Sequence, residues 1–327
     1  MSEKKCKVYV TRMLPGPALD ILKASCDVEV NPRDEGLTYE ELLEKVKGKD
    51  GIITLLTDKI DAEVIKAGSQ GDHPLRVIAN YAVGYDNVDV ACATEHSIFV
   101  SNTPGVLTNT TADIAWALML SIARRIPEAE RYARAGKFIG WSPTLLLGGD
   151  IFGKTLGIVG VGRIGAAVAM RSKGFNMRVL YNDVRHNNEI ENEVKAEKVD
   201  MDTLLKESDF ISIHVPLMPE TRHLIGKRSF EMMKPTAYLI NTSRGPVIDE
   251  PALAEALKNN VIAGAALDVF EEEPKIYPGL LELENVVVVP HIASASVETR
   301  SKMAIMAAEN VLAVLSGKTP PNAVNRI

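Results

Sequence analysis

Short apolar runs alternate with helical stretches through the first hundred residues. Val8–Val10 reads as a strand and Pro17–Lys23 as a helix. Val28–Val30 is a second strand, and Thr38–Val46 a second helix with Glu40, Glu41 and Glu44 on its wet side. Ile52–Leu56 follows as a strand and Asp61–Ala67 as a helix that Asp61 is placed to cap. Val77–Ala79 and Ile98–Val100 complete a set of strands whose alternation with helices predicts a parallel, doubly wound sheet. A long helical segment follows Pro104, with Ile114, Leu118 and Ile122 on its apolar side. It is expected to run on through Arg124 and Arg125 to Gly136. The loop Phe138–Gly149 then carries Trp141 beside Ser142-Pro143. This stretch follows neither strand–helix rhythm, so it suits either a subunit contact or a plain interdomain linker.

From Lys154 the rhythm resumes. Strands are expected at Leu156–Val159, Val179–Tyr181, Ala196–Val199, Phe210–His214, Ala237–Ile240, Ala263–Leu267 and Val286–Val289, enough for a complete second sheet. After Pro290 one helix remains, about Ser296–Leu315. A single helix cannot form a domain, so it must pack back onto the first lobe. The expected fold class is α/β: two doubly wound parallel-sheet, Rossmann-like domains with a cleft between them. Residues 1–103 and 292–327 would form a discontinuous substrate-binding domain, and 104–291 a nucleotide-binding domain that includes an arm at about 104–149. The crossings near 101–104 and 290–294 would act as paired hinges.

The most informative stretch is 155–183. An apolar strand enters Gly160-Val161-Gly162-Arg163-Ile164-Gly165, a G-x-G-x-x-G, and a helical run with Val168 and Met170 stops near Gly174. A second strand then delivers Asp183, 18 residues after Gly165. In such a unit the first glycine makes the turn, the second lets the backbone approach a pyrophosphate, and the third lets helix and strand pack closely. The N–H groups of the turn and of the helix start at Arg163 and Ile164 offer that pyrophosphate unpaired donors and positive dipole. An acid at the position of Asp183 hydrogen-bonds a ribose 2′-hydroxyl and repels a 2′-phosphate, which favours NAD. Arg185, two residues on, keeps NADP open.

Composition narrows the picture. The chain has 327 residues, a length that suggests two domains, and a net charge of −6 with no long basic run. A nucleic-acid partner therefore has no electrostatic footprint. MSEKKCKVYV lacks the apolar core of a signal peptide, and the most apolar helical stretch, Ile114–Ala123, is too short for a membrane span. Cys6, Cys26 and Cys92 are odd in number and far apart, and read as buried thiols of a cytoplasmic protein. No metal-ligand spacing is present.

Three residues sit just beyond the carboxyl ends of expected strands in the second lobe, where an open parallel sheet binds ligands. Arg244 lies in Asn241-Thr242-Ser243-Arg244-Gly245, Glu273 in Asp268-Val269-Phe270-Glu271-Glu272-Glu273-Pro274, and His291 directly after Pro290. Arg244 offers a planar fork that can hold a carboxylate and polarise the carbonyl beside it. His291 can exchange the alcohol proton, and an adjacent Glu273 would favour its imidazolium form. With a nicotinamide as hydride carrier, the set suits interconversion of a 2-oxo acid and a 2-hydroxy acid. Taken singly, each has a plainer reading: a solvated arginine, one acid of a surface run, a satisfied loop histidine.

The whole chain resembles the D-isomer-specific 2-hydroxyacid dehydrogenases. The likeness runs through GVGRIG, Asn241–Gly245, Gly264–Pro274 and Pro290-His291. It implies that Arg244, Glu273 and His291 are the catalytic trio, and that Asp268 hydrogen-bonds the nicotinamide amide. It also implies that backbone N–H groups of Val83 and Gly84, in NYAVGYD, bind the substrate carboxylate. The long helix and the Trp141 loop match the family's dimerisation arm, which implies a homodimer and lets Trp141 reach a partner's substrate site. Leu55 and Leu56 lie in a loop that shapes the pocket. NYAVGYDN, LLTDKID, GKTLGIVGVGRIG and DVFEEEP are closest to the glyoxylate/hydroxypyruvate reductase branch. Other 2-hydroxyacid dehydrogenases, of D-lactate or phosphoglycerate type, are the alternatives. The phosphoglycerate branch often adds a C-terminal regulatory domain, whereas here Ile327 follows a single helix. The phosphite-oxidising branch has a Lys where Val83 stands. Many NADP-using glyoxylate reductases lack an acid where Asp183 stands, so branch and cofactor point apart, and Asp183 is given the greater weight. Nuclear co-repressors share the fold and the trio but act as NAD-sensing binding modules, usually with a long disordered tail.

Overall fold

A computed structural model describes residues 5–327. The chain divides into two compact units, one made of the chain up to Leu107 together with Ala295–Ile327, the other of Thr108–Ser294.

The first unit is built on β1 (Cys6–Val10), β2 (Cys26–Val30), β3 (Gly51–Thr54), β4 (Val77–Asn80) and β5 (Phe99–Ser101). All are parallel, in the order β2-β1-β3-β4-β5. The short helices between them start where the sequence offers caps. Thr38 forms a capping box with Glu41, and the Asp61 carboxylate accepts from the N–H groups of Glu63 and Val64. A helix at Val90–Glu95 was not anticipated. Six residues are too few to show a helical period, and Asp89 capping Cys92 N–H is its one local signal. β3 stops at Thr54 rather than Leu56 because the Leu55 N–H turns to the Asp58 side chain.

The C-terminal helix Val297–Leu315 belongs to this unit. Ala304, Ala307, Ala308, Val311 and Val314 recur every three to four residues and are buried with Val8, Val10, Ile53 and Val77 in one cluster. Small side chains let the helix lie close. A Cβ on Gly51 would come 3.3 Å from Val311 Cγ1.

The second unit carries β6 (Thr155–Val159), β7 (Arg178–Asn182), β8 (Glu197–Lys198), β9 (Phe210–Ile213), β10 (Tyr238–Asn241), β11 (Gly264–Leu267) and β12 (Val286–Val288). The order is β12-β11-β10-β9-β6-β7-β8, again all parallel.

The expected continuous helix to Gly136 is two helices, Thr108–Ala123 and Ile126–Arg134. Pro127 has no N–H to return to Ala123, whose carbonyl accepts from Gly149 N–H instead at 2.8 Å. Arg125 takes up the break with φ 54°. The first of the two helices is a core element. Trp116 stacks on Phe175 at 4.6 Å and donates to the Val168 carbonyl at 3.0 Å. Cys26 and Cys92 are buried, while Cys6 is only half-buried because it opens a strand; all are free thiols. Among the described residues no helix is long and apolar enough to cross a membrane.

Candidate active site

The strand order of the second unit reverses between β6 and β9, the place where such sheets hold a ligand beyond their carboxyl ends. Gly160 ends β6 with φ +88°, and a Cβ there would sit 3.0 Å from the His214 carbonyl. At Gly165 a Cβ would lie 2.0 Å from the Gly160 carbonyl oxygen, so only glycine lets the Arg163–Arg171 helix seat against the turn. Gly162, the helix N-cap, has no atom within 4 Å of where a Cβ would point. The turn is tight on its inner side and open on its outer side, with helix N–H groups at the open side. Those residues fit a pyrophosphate.

Asp183 follows β7. Its Oδ2 accepts from Val161 N–H at 2.8 Å and its Oδ1 from Arg185 N–H at 3.1 Å. The acid thus ties the second strand to the glycine turn. Arg163 is exposed and Ile164 half-buried at the helix start. Behind the turn, Ser212 Oγ lies 2.8 Å from His214 Nε2, and burial pushes this imidazole down to about 3, so it is neutral.

Arg244 stands just past β10. Asn241 receives the N–H and hydroxyl of Ser243 on Oδ1 and donates through Nδ2 to the Arg244 carbonyl at 2.9 Å. A Cβ on Gly245 would fall 1.9 Å from the Phe270 carbonyl carbon, so the Arg244 loop is pressed against the loop that bears Glu273. That second loop is braced from below. Glu250 and Glu271 each accept the other's backbone N–H, at 2.7 and 2.9 Å, and Glu271 Oε2 lies 3.0 Å from His223 Nε2. Glu273 Oε1 accepts from Phe270 N–H at 3.1 Å.

His291 follows β12 with φ 50°. Asp268, fully buried after β11, holds this turn. Its carbonyl accepts the His291 N–H, and its two carboxylate oxygens accept from Ile292 and Ala293 N–H at 2.6 and 2.9 Å. Burial pushes the Asp268 carboxyl up, against the pull of those donors and of His291. The outcome is a contact of 2.8 Å between His291 Nδ1 and Glu273 Oε2, with both side chains about three-quarters covered. A carboxylate there can accept a hydrogen bond from Nδ1–H and leaves Nε2 for other chemistry.

In the first unit, Leu55 follows β3 and Val83 and Gly84 follow β4. Among the described residues the N–H groups of Val83 and Gly84 have no protein acceptor. Trp141 is 84% exposed and has no ring partner among the described residues. The supporting residues Asn241, Gly245, Glu250 and Glu271 escape a reading of the sequence. Gly245 beside Arg244 is the one available signal, since a glycine flanking a functional side chain marks close approach.

A doubly wound parallel sheet with a glycine turn and strand-end acid at its switch point, and a histidine–carboxylate pair beyond its carboxyl ends, defines a dinucleotide-dependent oxidoreductase. Residues 116–293 match the D-isomer specific 2-hydroxyacid dehydrogenase, NAD binding domain. A glyoxylate reductase of Korarchaeum cryptofilum is 52% identical over 98% of this chain and 96% of its own length. The crystal structure of the TT0316 protein from Thermus thermophilus superposes with a TM-score of 0.91 at 46% identity, covering 98% of this chain and 100% of that one. An NADPH-dependent glyoxylate/hydroxypyruvate reductase from Sinorhizobium meliloti, solved with NADP and malonate, gives 0.85 at 30% identity, over 98% and 97% of the two chains. The chain belongs to the D-isomer-specific 2-hydroxyacid dehydrogenases, and is an NAD(P)-dependent enzyme acting on CH–OH donors.

Proposed function

We propose that the enzyme reduces glyoxylate or hydroxypyruvate to the corresponding 2-hydroxy acid, with NADH preferred over NADPH. The observation that carries this reading is the 2.8 Å contact of His291 Nδ1 with Glu273 Oε2 beyond the carboxyl ends of β11 and β12. Similarity to proteins named glyoxylate reductase supports the substrate class.

In this reading Arg244 holds the substrate carboxylate and polarises the 2-oxo carbonyl. His291, protonated on both nitrogens and steadied at Nδ1 by Glu273, gives its Nε2 proton to the carbonyl oxygen as the alcohol forms. Bound NADH supplies the hydride. The turn Gly160–Gly165 holds the pyrophosphate through backbone N–H groups, and Asp183 turns a free lone pair to the ribose diol, where its charge opposes a 2′-phosphate. Asp268, besides holding the His291 turn, meets the nicotinamide amide. Leu55, Val83 and Gly84 contact the substrate. Initial rates for glyoxylate, hydroxypyruvate and pyruvate, each with NADH and NADPH, test the assignment. No turnover of any of the three would overturn it.

The segment 136–152 displays Phe138, Ile139, Trp141, Leu147 and Phe152 to solvent. We take it as the arm of a homodimer, in which covering those side chains removes apolar surface from water. Light scattering behind size-exclusion chromatography would give twice the chain mass of 35.6 kDa. The free thiols suit a reducing compartment, and the cytoplasm is our assignment.

A further inference from the structure

In the first unit the strand order reverses between β1 and β3, and the carboxyl ends at that point carry side chains where the other sheet has glycines. The segment after β4 has three successive carbonyls pinned. Ala82 O accepts from Thr103 N–H at 2.8 Å, Val83 O from Asn102 Nδ2 at 2.8 Å, and Gly84 O from Asn80 Nδ2 at 2.9 Å. A peptide plane is rigid, and its N–H points opposite to its C=O. Holding the Ala82 carbonyl therefore sets the direction of the Val83 N–H, and holding the Val83 carbonyl sets that of the Gly84 N–H. Both N–H groups are without a protein acceptor among the described residues. The Asn80 side chain is itself fixed. Thr54 Oγ1 donates to its Oδ1 at 3.2 Å, and its Nδ2 also donates to Asn87 Oδ1 at 3.1 Å. Asn87 Nδ2 in turn holds the carbonyls of Leu55 and Asp58, at 3.0 and 2.9 Å.

We infer that Asn102 is a positioning residue: by pinning the Val83 carbonyl it aims the Gly84 N–H, next to the Val83 N–H that the held Ala82 carbonyl sets, at the carboxylate of the 2-oxo acid, while Asn80 clamps the far end of the segment at the Gly84 carbonyl. The inference rests on the substrate class proposed above. The amides touch no reacting atom. They remove the freedom of the 82–84 peptides to rotate, so the donors stand oriented before the anion arrives. Asn102 is the residue to change, because it is half-buried and its side chain makes this one bond, whereas Asn80 is fully buried in the network.

The test measures glyoxylate kinetics, oxalate inhibition and NADH binding by fluorescence for wild type, Asn102→Ala, Asn102→Gln and Thr54→Val. Loss of Asn102 should raise the KM for glyoxylate and the Ki for oxalate in parallel, on the order of tenfold, with kcat changed much less. NADH affinity should not move. Asn102→Gln, which keeps an amide donor, should recover part of the loss. Thr54→Val, which removes one of the two donors to Asn80 Oδ1 while keeping side-chain size and leaves Asn87 Nδ2 at 3.4 Å, should act in the same direction more weakly, and decides the matter if Asn102→Ala does not fold. A KM and Ki within twofold of wild type, or a loss of stability alone, would overturn the inference. Failure of the wild type to reduce any 2-oxo acid would instead overturn the proposed function on which it rests.

Discussion

The two units share an architecture and differ in how their sheets end. Beyond β6, steric permission does the work: Gly160 and Gly165 allow a turn that a Cβ would block, Gly162 leaves its outer side open, and a helix start supplies oriented N–H groups. Beyond β3 and β4, hydrogen bonding does it: Thr54, Asn80, Asn87 and Asn102 fix carbonyls and so leave N–H groups turned outward. On the function proposed above, these are two routes to an anion site in a doubly wound sheet. One is written in glycines, two of which exclude a side chain. The other is written in amides and degrades in steps.

The largest effect should come from the second unit's histidine. His291→Ala removes the proton donor of the proposed mechanism, and on that mechanism kcat should fall on the order of 10²–10⁴-fold. NADH binding, followed by fluorescence, should persist, because the glycine turn is untouched. Gly165→Ala tests the steric route. The overlap at 2.0 Å with the Gly160 carbonyl must be relieved by moving turn or helix. At roughly 1–3 kcal/mol for such overpacking, NADH should bind about 10–100-fold more weakly by titration.

Asp183→Ala removes both the charge and the acceptor that holds Val161 N–H. The ratio of kcat/KM for NADH over NADPH should fall on the order of tenfold. An unchanged ratio would make Asp183 a turn residue only. Glu273→Gln keeps shape and replaces the carboxylate that faces His291 Nδ1 at 2.8 Å by an amide. The kcat for glyoxylate reduction should fall on the order of tenfold with NADH binding unchanged, and a kcat equal to that of wild type would make Glu273 one acid of a surface run.

The smallest effect should lie in the first unit's network. Asp58 is buried, accepts from Leu55 N–H at 2.8 Å and Thr11 Oγ1 at 2.5 Å, and burial pushes its carboxyl up. A raised folded-state value means the folded chain holds that proton more tightly than the unfolded chain. Its contribution to stability is therefore greatest below the ordinary carboxylate range and is lost as pH rises through the raised value. Asp58→Asn keeps an oxygen acceptor and removes the titration. The difference in Tm between variant and wild type should drift by about 1–2 °C across pH 4 to 7. A difference independent of pH would show that folding leaves the Asp58 carboxyl unshifted.

Local signals and long-range ones separated cleanly. The alternation of apolar runs and helices located the strands of both sheets, because nearly every strand carries a short apolar segment bounded by its own turn; β8, Glu197–Lys198, is charged and was placed only by the apolar residues flanking it. The glycine turn and Asp183 were legible for the same reason, since one strand–helix–strand unit contains them all. The helix expected to reach Gly136 was misread even though Pro127 was in view. Periodicity continues across the break, and the compensating bond from Gly149 comes from 26 residues after Ala123.

What the sequence determined by itself is therefore the strands of both sheets, the glycine turn and the chemical types of Arg244, Glu273 and His291. Only the tertiary structure decided that Asp268 ties down the turn bearing His291, that Gly245 lets two loops touch, and that His291 and Glu273 meet at 2.8 Å. It also decided that ordinary loop residues, Asn87 and Asn102, join the strand-end Asn80 in pinning one segment. An asparagine in a loop is compatible with many structures. Its role depends on which carbonyl the sheet register brings within about 3 Å, and that distance is set by strands far apart in the chain.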